Sequence, residues 1–503
     1  MARQLRTRAR SGDGAQRARA GRRRGWFRRE RGPLAGPLAS HEFHWTRAAA
    51  LVAVGTAASG CGGLPDAAEV SAAAAARSPD AFEVPDWAWS HWVWEDESTQ
   101  QSALALVDGY LERDIPVTGV IIDSPWATGY NTFEWDAALF PRPQEMIDEF
   151  HRKGVRVLLW IVPVVNAGVE PMYSEARERG FFMQRDDSGV PAVFRWWKGE
   201  GSLLDLWNTD AVAWWKSKMD TVLAMGIDGW KLDGAEFNAY LAGVDTSPAL
   251  GAKVKRLTYS HAYARLFYDY SREKLGHDRI ISMRPIDSYG LNIGGDVVAS
   301  GSPEINWAAW VGDQDATFSG LRAALLNIHH SAEYGYLAMG SDIGGYREED
   351  SEPHQRKKEL FLRWAQVAAF HPVMENGGGG EHRPWIFDEE TEAIYRAFVK
   401  LHLRLVPYMK ERAKAARAER RSLLSFQDKQ TFAFLLGDDV FVAPILGEGG
   451  TLSVTFPVGG EWRWLFGDHA THGGGVTETL SFTLGTFPAF VRAGSPLAAT
   501  LLP

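Results

Sequence analysis

Two aspartates close strand-like runs. The first run, Gly229 to Leu232, stops at Asp233, and Glu236 follows within the next helical turn. The second, Trp307-Ala-Ala-Trp-Val-Gly, stops at Asp313. A strand that ends in an acid is how a (β/α)8 barrel presents a catalytic carboxylate at its C-terminal face. Two such acids on one barrel suit glycoside hydrolysis, in which one carboxylate acts on the anomeric carbon and the other moves a proton at the leaving oxygen. Asp233 also suits the cap of a following helix, and Asp313 a turn after Gly312. Asp315 is the rival for the acid role.

The elements that must hold these acids follow from the alternation of strand-like and helix-like segments. Eight strand candidates are predicted, at Ala88–Trp94, Val117–Ile122, Val155–Ile161, Gly229–Leu232, Ile280–Met283, Ile305–Ala309, Tyr336–Met339 and Ala368–Val373. Amphipathic stretches such as Pro143–Lys153 and Ala211–Met225 lie between them. The expected class is α/β: a (β/α)8 TIM barrel over residues 85–412, with a long excursion at Val164–Asp210 over the site. After Met409 the pattern changes to short strands with Gly and Pro turns, so 413–503 reads as a small antiparallel β-sandwich.

A chain of 503 residues with 45% hydrophobic content accommodates a barrel plus a smaller unit. Its 21 Trp suit carbohydrate, because sugar C–H faces stack on indole, although large barrels also bury Trp. Residues 1–50 carry thirteen Arg against Asp13, Glu30 and Glu42. With the whole chain at −9, the body is strongly acidic. That argues against nucleic acid or an anionic membrane surface as partner.

The basic arm precedes an apolar run, Ala48 to Cys61, too short to span a bilayer. Residues 1–61 therefore read as an export region, and 62–84, rich in Ala, Pro, Asp and Ser, as a flexible linker. Ala58-Ser-Gly-Cys61 resembles a bacterial lipobox, with Ala58 where Leu is usual. Cys61 is the only cysteine, so it has no disulfide partner and lipidation explains it. Ordinary signal cleavage near Ala58 or Gly60 is the alternative. Arg22–Arg24 and Arg28-Arg29 hint at twin-arginine export. The expected location is exported, as a bacterial cell-envelope lipoprotein or a secreted protein, with the membrane reached only through that lipid.

No His/Cys cluster is spaced for zinc and no Asp-rich loop for calcium, so no metal and no cofactor is expected. Asn376-Gly-Gly-Gly-Gly380 lacks the following Lys-Ser/Thr of a phosphate-binding loop.

Several segments taken together resemble glycoside hydrolase family 31, from about Trp87 to the end. Lys231-Leu-Asp233-Gly-Ala-Glu236 is similar to the family's nucleophile motif in its α-xylosidase version. Trp310-Val-Gly-Asp313 with Phe318-Ser-Gly-Leu321 resembles the acid/base segment. Gly340-Ser-Asp-Ile-Gly-Gly-Tyr346 resembles Asp-Ile-Gly-Gly-Phe. Arg363-Trp-x-Gln366 to Phe370-x-Pro372 and Leu405-Val-Pro-Tyr408 resemble the flanks of the last barrel helix.

The resemblance implies a retaining mechanism, with Asp233 as nucleophile and Asp313 as acid/base, and an oligosaccharide or glycoside as substrate. Lys231 or Arg284 would supply charge to the nucleophile, and Trp310 an apolar setting to the acid. Asp123 matches a hydroxyl-binding Asp, with capping as its rival role. Trp126 and Trp160 would wall the glycone, with core packing as the alternative. Arg284 matches a family Arg, here followed by Pro285. His382 stands where the family places a hydroxyl-binding His. Asp342 is expected buried beside the site, and Glu236 either orients its neighbours or forms a surface salt bridge.

Two departures qualify the resemblance. The family's N-terminal β-sandwich has no counterpart before the barrel, which leaves the glycone pocket more open or completed by a partner. The signature Trp-x-Asp-Met-Asn-Glu is absent, which leaves α-xyloside, α-galactoside and α-glucoside open. A non-catalytic carbohydrate-binding lipoprotein and a transglycosylase remain the alternatives to a hydrolase.

Overall fold

The structure, a computed structural model, describes residues 84–186, 189–287, 298–299, 301–348 and 356–503. The expected export region with Cys61, and the linker apart from Val84, lie outside the described residues.

Eight short strands form the parallel layer: β1 (His91–Glu95), β2 (Gly119–Ile122), β3 (Arg156–Ile161), β4 (Gly229–Leu232), β5 (Ile280–Met283), β6 (Ala308–Val311), β7 (Ala338–Ser341) and β8 (Met374–Asn376). Six pair in parallel in the order β5-β4-β3-β2-β1-β8, and β6 pairs with β7. Runs such as Val120-Ile-Ile122 are buried on both faces, as a parallel sheet under helices requires. Between β5 and β6 a side chain replaces the ladder. The Asn306 amide accepts from Met283 N at 2.9 Å and donates to Met283 O at 2.8 Å. Between β7 and β8 a parallel bridge joins Asp342 to Glu375. This arrangement is compatible with a TIM barrel.

The main helices are α1 (Gln100–Glu112), α2 (Pro143–Arg152), α3 (Thr209–Leu223), α4 (Arg256–Leu275), α5 (Phe318–Glu333), α6 (Lys358–Ala368) and α7 (Glu389–Ala418). Their starts follow capping chemistry. Thr99 and Ser102 form a capping box on α1, and Asn208 caps α3.

Several strand ends differ from expectation. Residues 86–89 form a 3-10 turn, so β1 begins at His91. The apolar run at Ile305 begins in a turn, with Asn306 N donating to Ser302 O, so β6 starts at Ala308. The expected strand Ala368–Val373 begins inside the end of α6, and β8 is Met374–Asn376. In each case the apolar residues before the strand are buried, so hydrophobicity alone does not mark where extension begins.

Helix α7 continues to Ala418, past the change of sequence character near 412. Beyond it lies an antiparallel unit: β9 (Leu424–Phe426), β10 (Phe434–Leu436), β11 (Val440–Val442), β12 (Thr451–Thr455), β13 (Glu461–Trp464), β14 (Thr471–Gly473), β15 (Thr477–Ser481) and β16 (Ala489–Arg492). Six of these form one sheet in the order β9-β10-β11-β16-β13-β14, and β12 pairs with β15. Buried Arg363 of α6 donates to Thr483 O and Thr486 O, tying this unit to the parallel layer.

Candidate active site

The carboxyl ends of the parallel strands surround a cavity of about 370 Å³. Asp233 follows β4 and Asp313 follows β6 by two residues, so both project from the same end of the layer. One side chain spans them. Arg284, just past β5, donates from Nε to Asp233 Oδ1 at 3.0 Å, from Nη2 to Asp313 Oδ1 at 2.8 Å, and from Nη1 to Asp287 Oδ2 at 2.7 Å. Asp233 also accepts from Trp160 Nε1 at 3.2 Å and from Gly234 N at 2.8 Å. Burial alone would raise its pKa. The Arg284 guanidinium and the charge of Lys231 outweigh that and hold Asp233 below the usual aspartate range.

Asp313 has φ 63°, the left-handed region. Its backbone N–H donates to Asp342 Oδ2 at 3.2 Å. Gly312 before it admits no side chain, because a Cβ there would lie 2.7 Å from Asp342 Oδ2 and from Trp310 Nε1.

Lys231 is buried in the cavity floor. Its Nζ donates to Asp123 Oδ2 at 2.9 Å and lies 3.3 Å from the centre of the Trp94 ring and 5.0 Å from that of Trp310. Burial opposes its charge, but Asp123, Asp342 and Glu375 overcome this and raise its pKa. Asp342 Oδ1 and both Glu375 carboxyl oxygens find no N–H or O–H donor. A proton carried by one acid and donated to the other would join one oxygen of each. Burial, reinforced for Asp342 by the charge of Glu375, raises both acids accordingly.

Of the expected residues, the structure brings Asp123, Trp160, Lys231, Asp233, Arg284 and Asp313 to the cavity wall. Trp310 and Asp342 are buried behind it. Trp126 stands one layer further out. Its Nε1 donates to Trp160 O at 2.8 Å and its ring packs on Trp135, so it supports the wall rather than forming it. His382 is buried with both ring nitrogens facing backbone carbonyls, Nδ1 at 3.1 Å from Ile343 O and Nε2 at 3.2 Å from Gly379 O. Burial and the charge of Arg356 keep it well below the usual histidine value. Neutral, it can donate to only one of them. Asp315 pairs with Arg347 at 3.5 Å and does not line the cavity. Glu236 is fully buried; it accepts from Ser260 Oγ at 2.9 Å and pairs with Arg256 at 3.9 Å.

Sequence reasoning missed Trp94, Asp96, Trp197, Phe237, Asn238 and Tyr346, all on the cavity wall. Tyr346 Oη donates to Asp96 Oδ1 at 2.8 Å. Trp94 and Asp96 stand at the end of β1, and that position is the signal that would have singled them out.

The description "Glycosyl hydrolases family 31 TIM-barrel domain" matches residues 81–411. The chain belongs to glycoside hydrolase family 31. The family's C-terminal domain matches residues 419–497. Among curated relatives, "Alpha-xylosidase XylQ" of Lactiplantibacillus pentosus is 25% identical, covering 75% of this chain and 49% of that protein. "Sulfoquinovosidase" of Escherichia coli K12 is 26% identical over 83% of this chain and 62% of its own length. Among solved structures, a family 31 α-xylosidase from a soil metagenome, complexed with xylose, has a TM-score of 0.72 and 23% identity. It covers 83% of this chain and 65% of the xylosidase, and shares the fold. The chain spans about half the length of the first curated relatives it matches. Among the described residues, no group of three or more His, Cys, Asp or Glu side chains could hold a metal ion, and no helix is long and apolar enough to cross a membrane.

Proposed function

We propose that this chain is an exported retaining α-glycosidase. The observation that carries the reading is the bridging of Asp233 and Asp313 by one Arg284 edge inside one cavity. Asp233 is the nucleophile, kept ionised by Arg284. A carboxylate oxygen of Asp233 bonds to the anomeric carbon while the bond to the aglycone oxygen breaks, and Asp313 gives that oxygen its proton. Asp233 thereby loses its charge as an ester and Asp313 gains one. Arg284 faces both, so its counter-charge serves the site before and after the step without rearrangement. Water then attacks the anomeric carbon, Asp313 takes its proton, and Asp233 is released. Asp313 is 28% exposed at its side chain, on the side from which water enters. Asp123 and Lys231 in the floor bind glycone hydroxyls, and Trp160 walls the ring.

We read the eight parallel strands as a closed (β/α)8 barrel over 85–412 and the last unit, 413–503, as a β-sandwich, preceded by an export region at 1–61 and a linker at 62–84. The reading of Cys61 as a lipid anchor is supported by its place after an apolar run. In a bacterial host Cys61→Ser should move the protein from the membrane to the soluble fraction. The glycone is an α-xyloside, α-galactoside or α-glucoside. The test is turnover of the three aryl α-glycosides by the chain from Gly62, with Asp233→Ala as blank. Turnover of one that vanishes in the blank supports the reading. Silence on all three from folded protein rejects it for these glycones and favours a carbohydrate-binding role.

A further inference from the structure

Asp287 is fully buried behind the cavity wall, three residues past Arg284, where Ile286–Asp287 pairs antiparallel with Val298–Ala299. Three N–H donors from three parts of the fold converge on its carboxyl group. Arg284 Nη1 at 2.7 Å and Gly312 N at 3.2 Å reach Oδ2, and Asn327 Nδ2 of α5 reaches Oδ1 at 2.8 Å. An ionised carboxylate accepts from all three, whereas an amide would turn its own N–H toward one of them. Burial pushes this carboxyl above the ordinary aspartate value, and the Arg284 charge and the Gly312 N–H act against that.

The segment that carries Asp287 is fastened to α5 at two residues one helical turn apart. Asn327 meets the Asp287 side chain, and buried Ser331 Oγ accepts from Ile286 N at 3.0 Å. The Arg284 guanidinium is in turn held on three sides. Its Nε and Nη2 face Asp233 and Asp313, its Nη1 faces Asp287, and the centre of the Trp310 ring lies 4.8 Å from its Cζ. The bond to Gly312 acts on the acid itself. Asp287 holds the N–H of Gly312 and Asp342 holds that of Asp313, so two buried acids grip successive amides of the turn that presents Asp313.

A guanidinium gripped only along its Nε–Nη2 edge is free to turn toward whichever acid carries the charge. Gripped also at Nη1, it keeps its place between them. We propose that Asp287 is the positioning residue of this site: it sets the Arg284 edge between Asp233 and Asp313 and steadies the Gly312–Asp313 turn, with Asn327 as its anchor on α5. The consequence for turnover rests on the glycosidase reading, in which negative charge passes from Asp233 to Asp313 across that edge.

The experiment compares full-length wild type, Asp287→Asn and the exchange Asp287→Asn/Asn327→Asp, by crystal structure and by kcat and KM on α-glucosyl, α-xylosyl and α-galactosyl fluoride. Asp287→Asn should lower kcat roughly 10- to 100-fold with KM within about twofold, as misplaced groups do and lost ground-state binding does not. In its crystal structure Arg284 Nη2 should lie beyond hydrogen-bond distance of Asp313. In the exchange the amide at 287 donates to the carboxylate at 327 and again offers its oxygen to Arg284 and Gly312, so Arg284 should return and most of kcat with it. Wild-type kcat in folded Asp287→Asn overturns the proposal. So does a loss with Arg284 still bridging both acids, or an exchange that folds and keeps the loss. Should Asp287→Asn not fold, Asn327→Ala, which frees only Oδ1, carries the test: kcat should fall about two- to fivefold, and an unchanged kcat overturns the proposal. A wild type that turns over none of the fluorides sinks the glycosidase reading instead. The crystal structures then decide the positioning alone, a displaced Arg284 in Asp287→Asn keeping it and an unmoved one overturning it.

Discussion

Arg284 Nη2 donates to Asp313 Oδ1 at 2.8 Å, and Asp313 makes this contact from a left-handed backbone, at φ 63°. Asp and Asn tolerate that conformation better than other side chains, because short polar groups bond locally there. The position thus asks for Asp on both chemical and backbone grounds.

Asp313→Asn should keep the fold and lose proton transfer. Turnover of a glycoside with a poor leaving group should fall roughly 10²–10⁴-fold. An α-glycosyl fluoride, whose departure needs little protonation, should be affected far less. Equal losses on both substrates would remove Asp313 from the acid role. Asp313→Ala should in addition cost about 1 kcal/mol in urea unfolding, from the backbone.

Arg284 should set the low-pH limit of the proposed activity. Asp233 is held below the ordinary aspartate value of 3.8, burial opposing and Arg284 prevailing. A depressed carboxyl stays ionised as pH falls, so the acid limb of kcat/KM should lie below that value. In Arg284→Lys the point charge no longer bridges two carboxylates, and the limb should move to higher pH while the rate falls roughly 100-fold. A pH profile on a glycosyl fluoride decides this, and an unmoved limb would contradict it.

Lys231 is the central cation of a buried acid cluster. Lys231→Met leaves Asp123 unpaired and removes the charge facing Asp342 and Glu375. The expected loss is about 3–5 kcal/mol, the cost of a buried ion without its partner. Equilibrium unfolding in urea measures it, and a loss under about 1 kcal/mol would show the cluster neutral throughout.

The Asp342–Glu375 pair makes stability fall as pH rises. In the unfolded chain Glu375 releases its proton near its ordinary 4.5, whereas burial keeps the folded acid protonated to higher pH. The folded state then holds more protons, so stability declines above that point and toward neutrality. Glu375→Gln removes one titration and supplies an N–H for Asp342 Oδ1. Its unfolding free energy should decline less steeply over the same range. A slope equal to the wild type's would refute the shared proton.

Asp233 and Asp313 were legible as candidates because they stand at or just past strand ends, and β4 and β5 fell where the apolar runs placed them. Local pattern did not show Asn306 closing the gap between β5 and β6 with its side chain, nor β8 starting at Met374. Both depend on neighbours distant in sequence. Trp126 and Trp160 looked alike as sequence; only packing puts Trp160 on the cavity and Trp126 behind it. His382 was read from its place in a motif, and its ring turned to two carbonyls instead of the cavity.

The chain itself determined the family, the positions of Asp233 and Asp313, and the alternation that builds the parallel layer, because motif order and hydrophobic period are local properties. Tertiary structure alone decided which cation meets which acid. Arg284 spans Asp233, Asp287 and Asp313, Lys231 faces Asp123, and Glu375 meets Asp342. These groups lie far apart in sequence for the most part, and their charges take meaning only when folding buries them within a few ångströms of one another, where water no longer screens them.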